Sequence, residues 1–174
     1  MSRALALVDS SDESRSHEHF PDASPLLETK LYVPSSLAGL VARPRLTEAL
    51  RQGVAQRLTV VVAPAGFGKT TLLAGWLREM GGRENAAAWV SLDPSENDPA
   101  LFWAYVIRAL QRVQPRVGTN ALALLQSPHA PIASVLASLI NDVDASDADF
   151  TVVLDDYHVI DSAAIHSGMT FLLD

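Results

Sequence analysis

Hydrophobic and polar positions alternate between two periods along this chain. Residues 58 to 63, LTVVVA, form an unbroken, largely β-branched run, the pattern of a strand buried on both faces of a parallel sheet. AAAWVSL at 86 to 92 and FTVVLDD at 150 to 156 repeat that pattern. Helical periodicity fills the intervals. LTEALRQGVAQ at 46 to 56 predicts a helix with Thr47 as N-cap, and TTLLAGWLREM at 70 to 80 predicts another, stopped by Gly81 and Gly82. After the turn-rich DPSENDP, residues 100 to 113 place Phe102, Val106, Ala109, Leu110 and Val113 on one side and Arg108, Gln111 and Arg112 on the other. Trp103 and Tyr105 flank that stripe and read as packing residues. Shorter helices are predicted at 119 to 126 and 131 to 143, and SAAIHSGMTFLL after the last strand predicts a final one. Strands alternating with helices specify an α/β domain with a mainly parallel sheet.

Residues 9 to 25, DSSDESRSHEHFPDASP, break the pattern: they are acidic, Ser-rich and almost free of aliphatic side chains. Such a stretch buries too little surface to offset the entropy of ordering, so residues 1 to 28 are expected to form a disordered tail and residues 29 to 174 the folded part. His17 and His19 lie in that tail without supporting groups and are not assigned to a metal. The short ALALV near the start falls below the length of a signal-peptide core, and no apolar run reaches the ~20 residues of a membrane span. With no cysteine in 174 residues, disulfides and thiolate chemistry drop out, and a cytoplasmic protein without membrane contact is expected. The formal charge of -7 argues against direct DNA binding by this segment.

The candidate chemistry sits where the first buried run ends. Ala63, Pro64, Ala65, Gly66, Phe67, Gly68, Lys69, Thr70 and Thr71 match a nucleotide phosphate-binding loop, with alanine in place of the usual first glycine. Gly66 and Gly68 let backbone N–H groups turn toward phosphate oxygens, and the helix that follows adds the positive end of its dipole. Lys69, one of only two lysines, would reach the β- and γ-phosphates of ATP or ADP, while Thr70 would offer its hydroxyl to Mg²⁺. The strand before and the helix after the loop supply the context such a motif requires. At the end of the third strand run, Asp155 is placed to hold the Mg²⁺ shell and Asp156 to orient or polarise an attacking water. His158 and Asp161 lie nearby, but no ligand spacing singles them out. There is no Gly-x-Ser-x-Gly elbow to organise a hydrolase triad.

Taken in order, TKLYVP, LVARPRL, APAGFGKTTLL, AWVSLDPSENDPALFWAYVIRALQ and VVLDDYHVID resemble the N-terminal ATPase region of the maltose-activator type of LuxR transcriptional regulators. The resemblance covers roughly residues 28 to 174 and implies a signal-transduction (STAND) class P-loop NTPase, a three-layer α/β/α fold. It further implies a nucleotide switch: ADP in a closed monomer, ATP and an inducer in an open form that self-associates. Arg43 would then lie near the adenine and Val41 would pack on the base. Catalysis would be at most slow ATP hydrolysis. The winged-helix, helical-repeat and helix-turn-helix parts of that family do not fit into this length, and residue 174 falls just before an expected further strand. The chain is thus expected to be an N-terminal fragment whose fold is incomplete at its C-terminus. In that class the strand leading into the phosphate loop and the LDD strand are separated by that later strand, so a gap is expected between them. A small ATPase or phosphotransferase acting by turnover, or a remnant that no longer binds nucleotide, are the alternatives.

Overall fold

The computed structural model describes residues 3–9, 26–35, 41–79, 87–127, 130–146 and 149–174, with the backbone alone for 3–9. Four strands, β1 (Arg3–Asp9), β2 (Leu58–Val62), β3 (Ala87–Ser91) and β4 (Phe150–Asp155), form one sheet in the order β2-β1-β4-β3. All three pairings are parallel. Among the described residues six α-helices accompany them: α1 (Pro44–Gly53), α2 (Lys69–Glu79), α3 (Pro99–Val113), α4 (Thr119–Leu125), α5 (Ile132–Asp144) and α6 (Ala163–Leu173). The α/β class and the parallel sheet agree with the hydrophobic periodicity. Trp103 and Tyr105 are buried, as packing residues should be.

Three expectations are corrected. The tail foreseen over residues 1 to 28 is ordered at Arg3–Asp9, which pairs with β2 on one side and β4 on the other. ALALV is too short for a signal peptide but ample for a strand, and two ladders satisfy its backbone polar groups. The same strand corrects the gap expected between the phosphate-loop strand and the LDD strand, because β1 lies between them. The third correction concerns β2, expected to be buried on both faces. It is one of the two edge strands of the described sheet, and Leu58, Val60 and Val62 stand 37 to 66% exposed while Val61 packs inward. A β-branched run encodes strand propensity and not the number of neighbours.

Smaller differences have local causes. Helix α1 begins at Pro44 with Arg43 as N-cap, four residues ahead of the expected Thr47 cap, because proline's fixed φ suits the first helical turn. The expected stop at Gly81 and Gly82, and His17 with His19, lie outside the described residues.

Alternate side chains of β3 and β4 feed two separate clusters. Ala87 and Trp89 of β3 and Val153 of β4 pack with Leu50 of α1 and Leu73, Trp76 and Leu77 of α2. Ala88, Val90, Phe150 and Leu154 pack on the opposite face with Phe102, Trp103, Ile107, Leu136, Leu139 and Ile165 from α3, α5 and α6. This period-2 division is what a strand covered on both faces requires.

An ionic knot fastens the segment before α1 to this core. Lys30 Nζ donates to Asp93 Oδ2 at 2.7 Å and to Glu96 Oε1 at 2.6 Å, and it stands 5.5 Å from the centre of the Tyr105 ring. Tyr105 Oη accepts from the Leu27 N–H at 3.0 Å. Asp93 and Glu96 also form a reciprocal capping box around the 3-10 turn Pro94–Asn97. Burial works against the Asp93 charge, but hydrogen bonds from Lys30 and Ser95 outweigh it and hold this carboxyl down at about 2. Its stabilising contribution is complete above the ordinary aspartate value of 3.8 and fades as the pH falls through about 2. Glu96 is only 1% exposed, so Lys30→Met would strand a buried carboxylate. The expected cost is about 3 kcal/mol of unfolding free energy, read from urea denaturation at neutral pH. A change under about 0.5 kcal/mol would mean the knot is solvated and structurally idle.

Candidate functional site

Because every strand runs the same way, their carboxyl ends meet at one edge of the sheet. The register sets Asp9 beside Val62 and Ser91 beside Asp155. The chain leaves β2 at Val62 and enters α2 at Lys69, so residues 63–68 form a loop at this edge. Gly66 and Gly68 have φ of 78° and 77°, the left-handed region where a side chain is strained. A Cβ at Gly66 would meet no atom within 4 Å, so conformation and not crowding demands glycine there. The first bond of the helix runs from Leu72 N–H to the Gly68 carbonyl at 2.8 Å, leaving the preceding amides at the helix end directed toward the loop.

Lys69 is 8% exposed, and its ammonium donates to the carbonyls of Ala63 at 2.7 Å and Pro64 at 3.1 Å. The lysine therefore folds back over the loop that precedes it. Thr70 Oγ1 lies 2.9 Å from both carboxylate oxygens of Asp155 and donates to that carboxylate. Loop and strand end, widely separated in sequence, thus meet as their motifs suggested. Asp155 is 3% exposed. Burial pushes its carboxyl up to about 6, the Thr70 hydrogen bond opposes this, and the neighbouring Asp156 charge adds to it. A desolvated carboxylate beside a hydroxyl is a hard oxygen pair suited to a divalent cation such as Mg²⁺.

Asp156 is the one non-glycine residue with positive φ, 60°, among the described residues. Aspartate tolerates that conformation better than most side chains. Its side chain is 47% exposed, and Oδ1 lies 3.8 Å from His158 Nδ1. Thr71 and Phe67 are exposed, Phe67 by 62%. Val41 is 82% exposed and Arg43 is exposed at the start of α1. The hydrogen bonds joining loop to strand run through Lys69, Thr70 and Asp155 and do not include Val41 or Arg43.

Sequence reasoning missed Asn97. Its Oδ1 accepts from the N–H groups of Asp161 and Ser162 at 2.8 and 3.1 Å, while its Nδ2 donates to Val159 O at 2.8 Å. One amide thereby pins the turn that follows Asp155 and Asp156. Within DPSENDP this asparagine looks like any turn residue, so only its distant partners reveal the role. A small apolar cavity of about 70 Å³, lined by Leu110, Leu139, Phe150, Val152 and Leu172, lies at the opposite end of the strands. Its one charged lining residue, Arg57, donates to the carbonyls of Leu173 and Asp174.

No family model matches the chain. It is 34% identical over 166 residues to the serine/threonine-protein kinase PknK of Mycobacterium tuberculosis, a match covering 91% of this chain and 15% of that protein. It is also 35% identical over 151 residues to the HTH-type transcriptional regulator MalT of Vibrio cholerae, covering 84% of this chain and 16% of MalT. MalT of Yersinia enterocolitica is similar at 35% over 149 residues. The chain is a relative of both proteins. It spans about a sixth of their length, so the similarity concerns a segment they share with it.

The raised Asp155 carboxyl has a measurable signature. Its folded value lies above the unfolded one, so protonation favours the folded state and that advantage is lost as the pH rises. In metal-chelated buffer the parent chain is expected to lose stability relative to Asp155→Asn between pH 4 and about 6, with no further divergence above. A shift of this size amounts to roughly 3 kcal/mol. Parallel melting profiles of the two proteins across that range would contradict a desolvated, destabilised carboxylate.

Proposed function

We propose that this chain is an ATP-binding nucleotide-switch module of a MalT-like transcriptional regulator, with a three-layer P-loop NTPase fold. The observation that carries the reading is the 2.9 Å contact between Thr70 and Asp155 beside a loop with two left-handed glycines and a buried lysine. In this reading the Lys69 ammonium exchanges its carbonyl partners for β- and γ-phosphate oxygens, while amides of residues 66 to 71 line the remaining oxygens. Thr70 and Asp155 hold the Mg²⁺ shell. Mg²⁺ would supply charge neutralisation across the β- and γ-phosphates. Asp156 orients a water for slow hydrolysis. Val41 and Arg43 are the proposed contacts to the base.

The relatives support a module separate from any one output, since a protein named as a kinase and one named as a transcriptional regulator share the segment. DNA contact and self-association are accordingly proposed for a longer regulator, in the cytoplasm. Among the described residues no helix is long and apolar enough to cross a membrane.

Titration with a fluorescent ATP analogue tests the assignment. Lys69→Ala is expected to weaken Mg-ATP binding roughly 100-fold, equivalent to about 2.7 kcal/mol. Asp155→Asn should mainly abolish the Mg²⁺ dependence of binding, and Asp156→Asn should spare binding while lowering any hydrolysis. Equal affinity in parent and Lys69→Ala would remove the site. Sustained turnover above about 1 s⁻¹ with an acceptor would favour a phosphotransferase instead.

A further inference from the structure

The two halves of the site have no ladder of their own. Lys69 and Thr70 follow β2, Asp155 ends β4, and β1 stands between these strands. Neighbouring strands lie about 4.8 Å apart, so β2 and β4 are held at roughly twice that spacing by the backbone of β1. Leu5 illustrates the bridging: it is aligned with Leu58 on one side and Val152 on the other. Strand β2 is at the sheet edge, so β1 is its sole ladder partner among the described residues. Among the described residues, further ties between the halves include the α1–α2 cluster on one face, the Arg57 contacts with Leu173 and Asp174, and the Thr70–Asp155 contact itself. On the other face of β2, Leu58, Val60 and Val62 are exposed and provide no clamp.

We propose that Arg3–Asp9 is the positioning strand that assembles the site, so that seating this segment between β2 and β4 sets the affinity for nucleotide. If β1 is withdrawn, five aligned residues on each neighbour lose their ladder, and the Thr70–Asp155 distance is no longer fixed by the sheet. The segment from 10 to 25 that connects β1 onward has alanine as its only aliphatic residue, so its composition adds little apolar anchorage for the strand. Linkage then runs both ways. Nucleotide that bridges loop and Asp155 must favour the seated strand by the same factor by which the seated strand favours nucleotide. This coupling rests on the nucleotide-binding reading, whereas the seating of β1 between the two strands does not.

The test uses the full chain. Leu5→Pro removes a ladder N–H in mid-strand and inserts a ring that a central strand does not accept, whereas Leu5→Val keeps strand propensity. Amide hydrogen exchange and titration with the fluorescent ATP analogue are measured on both variants and on the parent. Leu5→Pro is expected to raise the Kd at least tenfold and to speed exchange in residues 58–62 and 150–155, with α3 and α5 still protected. Leu5→Val should match the parent, and Mg-ATP should slow exchange of residues 3–9 in the parent. A Leu5→Pro protein with parent-like affinity and protected 58–62 amides would overturn the proposal.

A cross-link decides the matter if Leu5→Pro unfolds altogether. The chain has no native cysteine, and Ala6 is aligned with Val153. The double variant Ala6→Cys with Val153→Cys should oxidise readily and keep or tighten nucleotide binding in the oxidised form. Failure to cross-link, or loss of binding on cross-linking, would overturn the proposal. A parent chain that binds no nucleotide would instead sink the functional reading, while exchange and cross-linking would still judge the seating of β1.

Discussion

The hydrogen bond between the Thr70 hydroxyl and the Asp155 carboxylate is the contact on which the candidate chemistry depends. It joins residues 85 positions apart and requires a helix start and a strand end to arrive at the same sheet edge. A parallel sheet meets that requirement without special loops, since all its strands deliver their carboxyl ends to one side. Asp155 is also out of water, and its raised pKa follows from that burial, against the opposing effect of the Thr70 hydrogen bond.

Positions on either side of this contact are held by different physics. On the α1–α2 side the apolar cluster of Leu50, Leu73, Trp76 and Leu77 fixes the helix that carries Lys69 and Thr70. On the β4 side the turn after Asp155 is held by polar groups, chiefly the Asn97 amide reaching three backbone partners. The Lys30–Asp93–Glu96 knot then secures the turn that carries Asn97. The segments TKLYVP and DPSENDP are thus joined to the site by a chain of contacts, although neither contains a residue of the glycine loop.

The relatives give this arrangement its context. One segment recurs within a protein named as a kinase and within proteins named as transcriptional regulators, each about six times longer than the match. The aliphatic face of β2 bearing Leu58, Val60 and Val62 is exposed, whereas β3, at the other edge of the sheet, is buried on both faces.

Sequence alone determined the α/β class, since the β-branched runs and the 3.6-residue stripes are local patterns that each element displays by itself. The boundaries of α2 through α6 were legible to within a residue or two because their apolar faces and flanking prolines or glycines are local signals. The glycine loop and the Asp155–Asp156 strand end were likewise legible, because left-handed glycines and a strand-end carboxylate are short-range signals. Sequence reading went astray where the outcome depended on neighbours. ALALV at the start is as consistent with a disordered tail as with a strand, and only the pairing surfaces of β2 and β4 decided the matter. LTVVVA specified a strand but not that it would sit at an edge. Asn97, Lys30 and Glu96 gained their roles from partners more than 60 positions away. A period of two or of 3.6 residues records which face a side chain occupies, whereas what lies opposite that face is set by the assembled sheet.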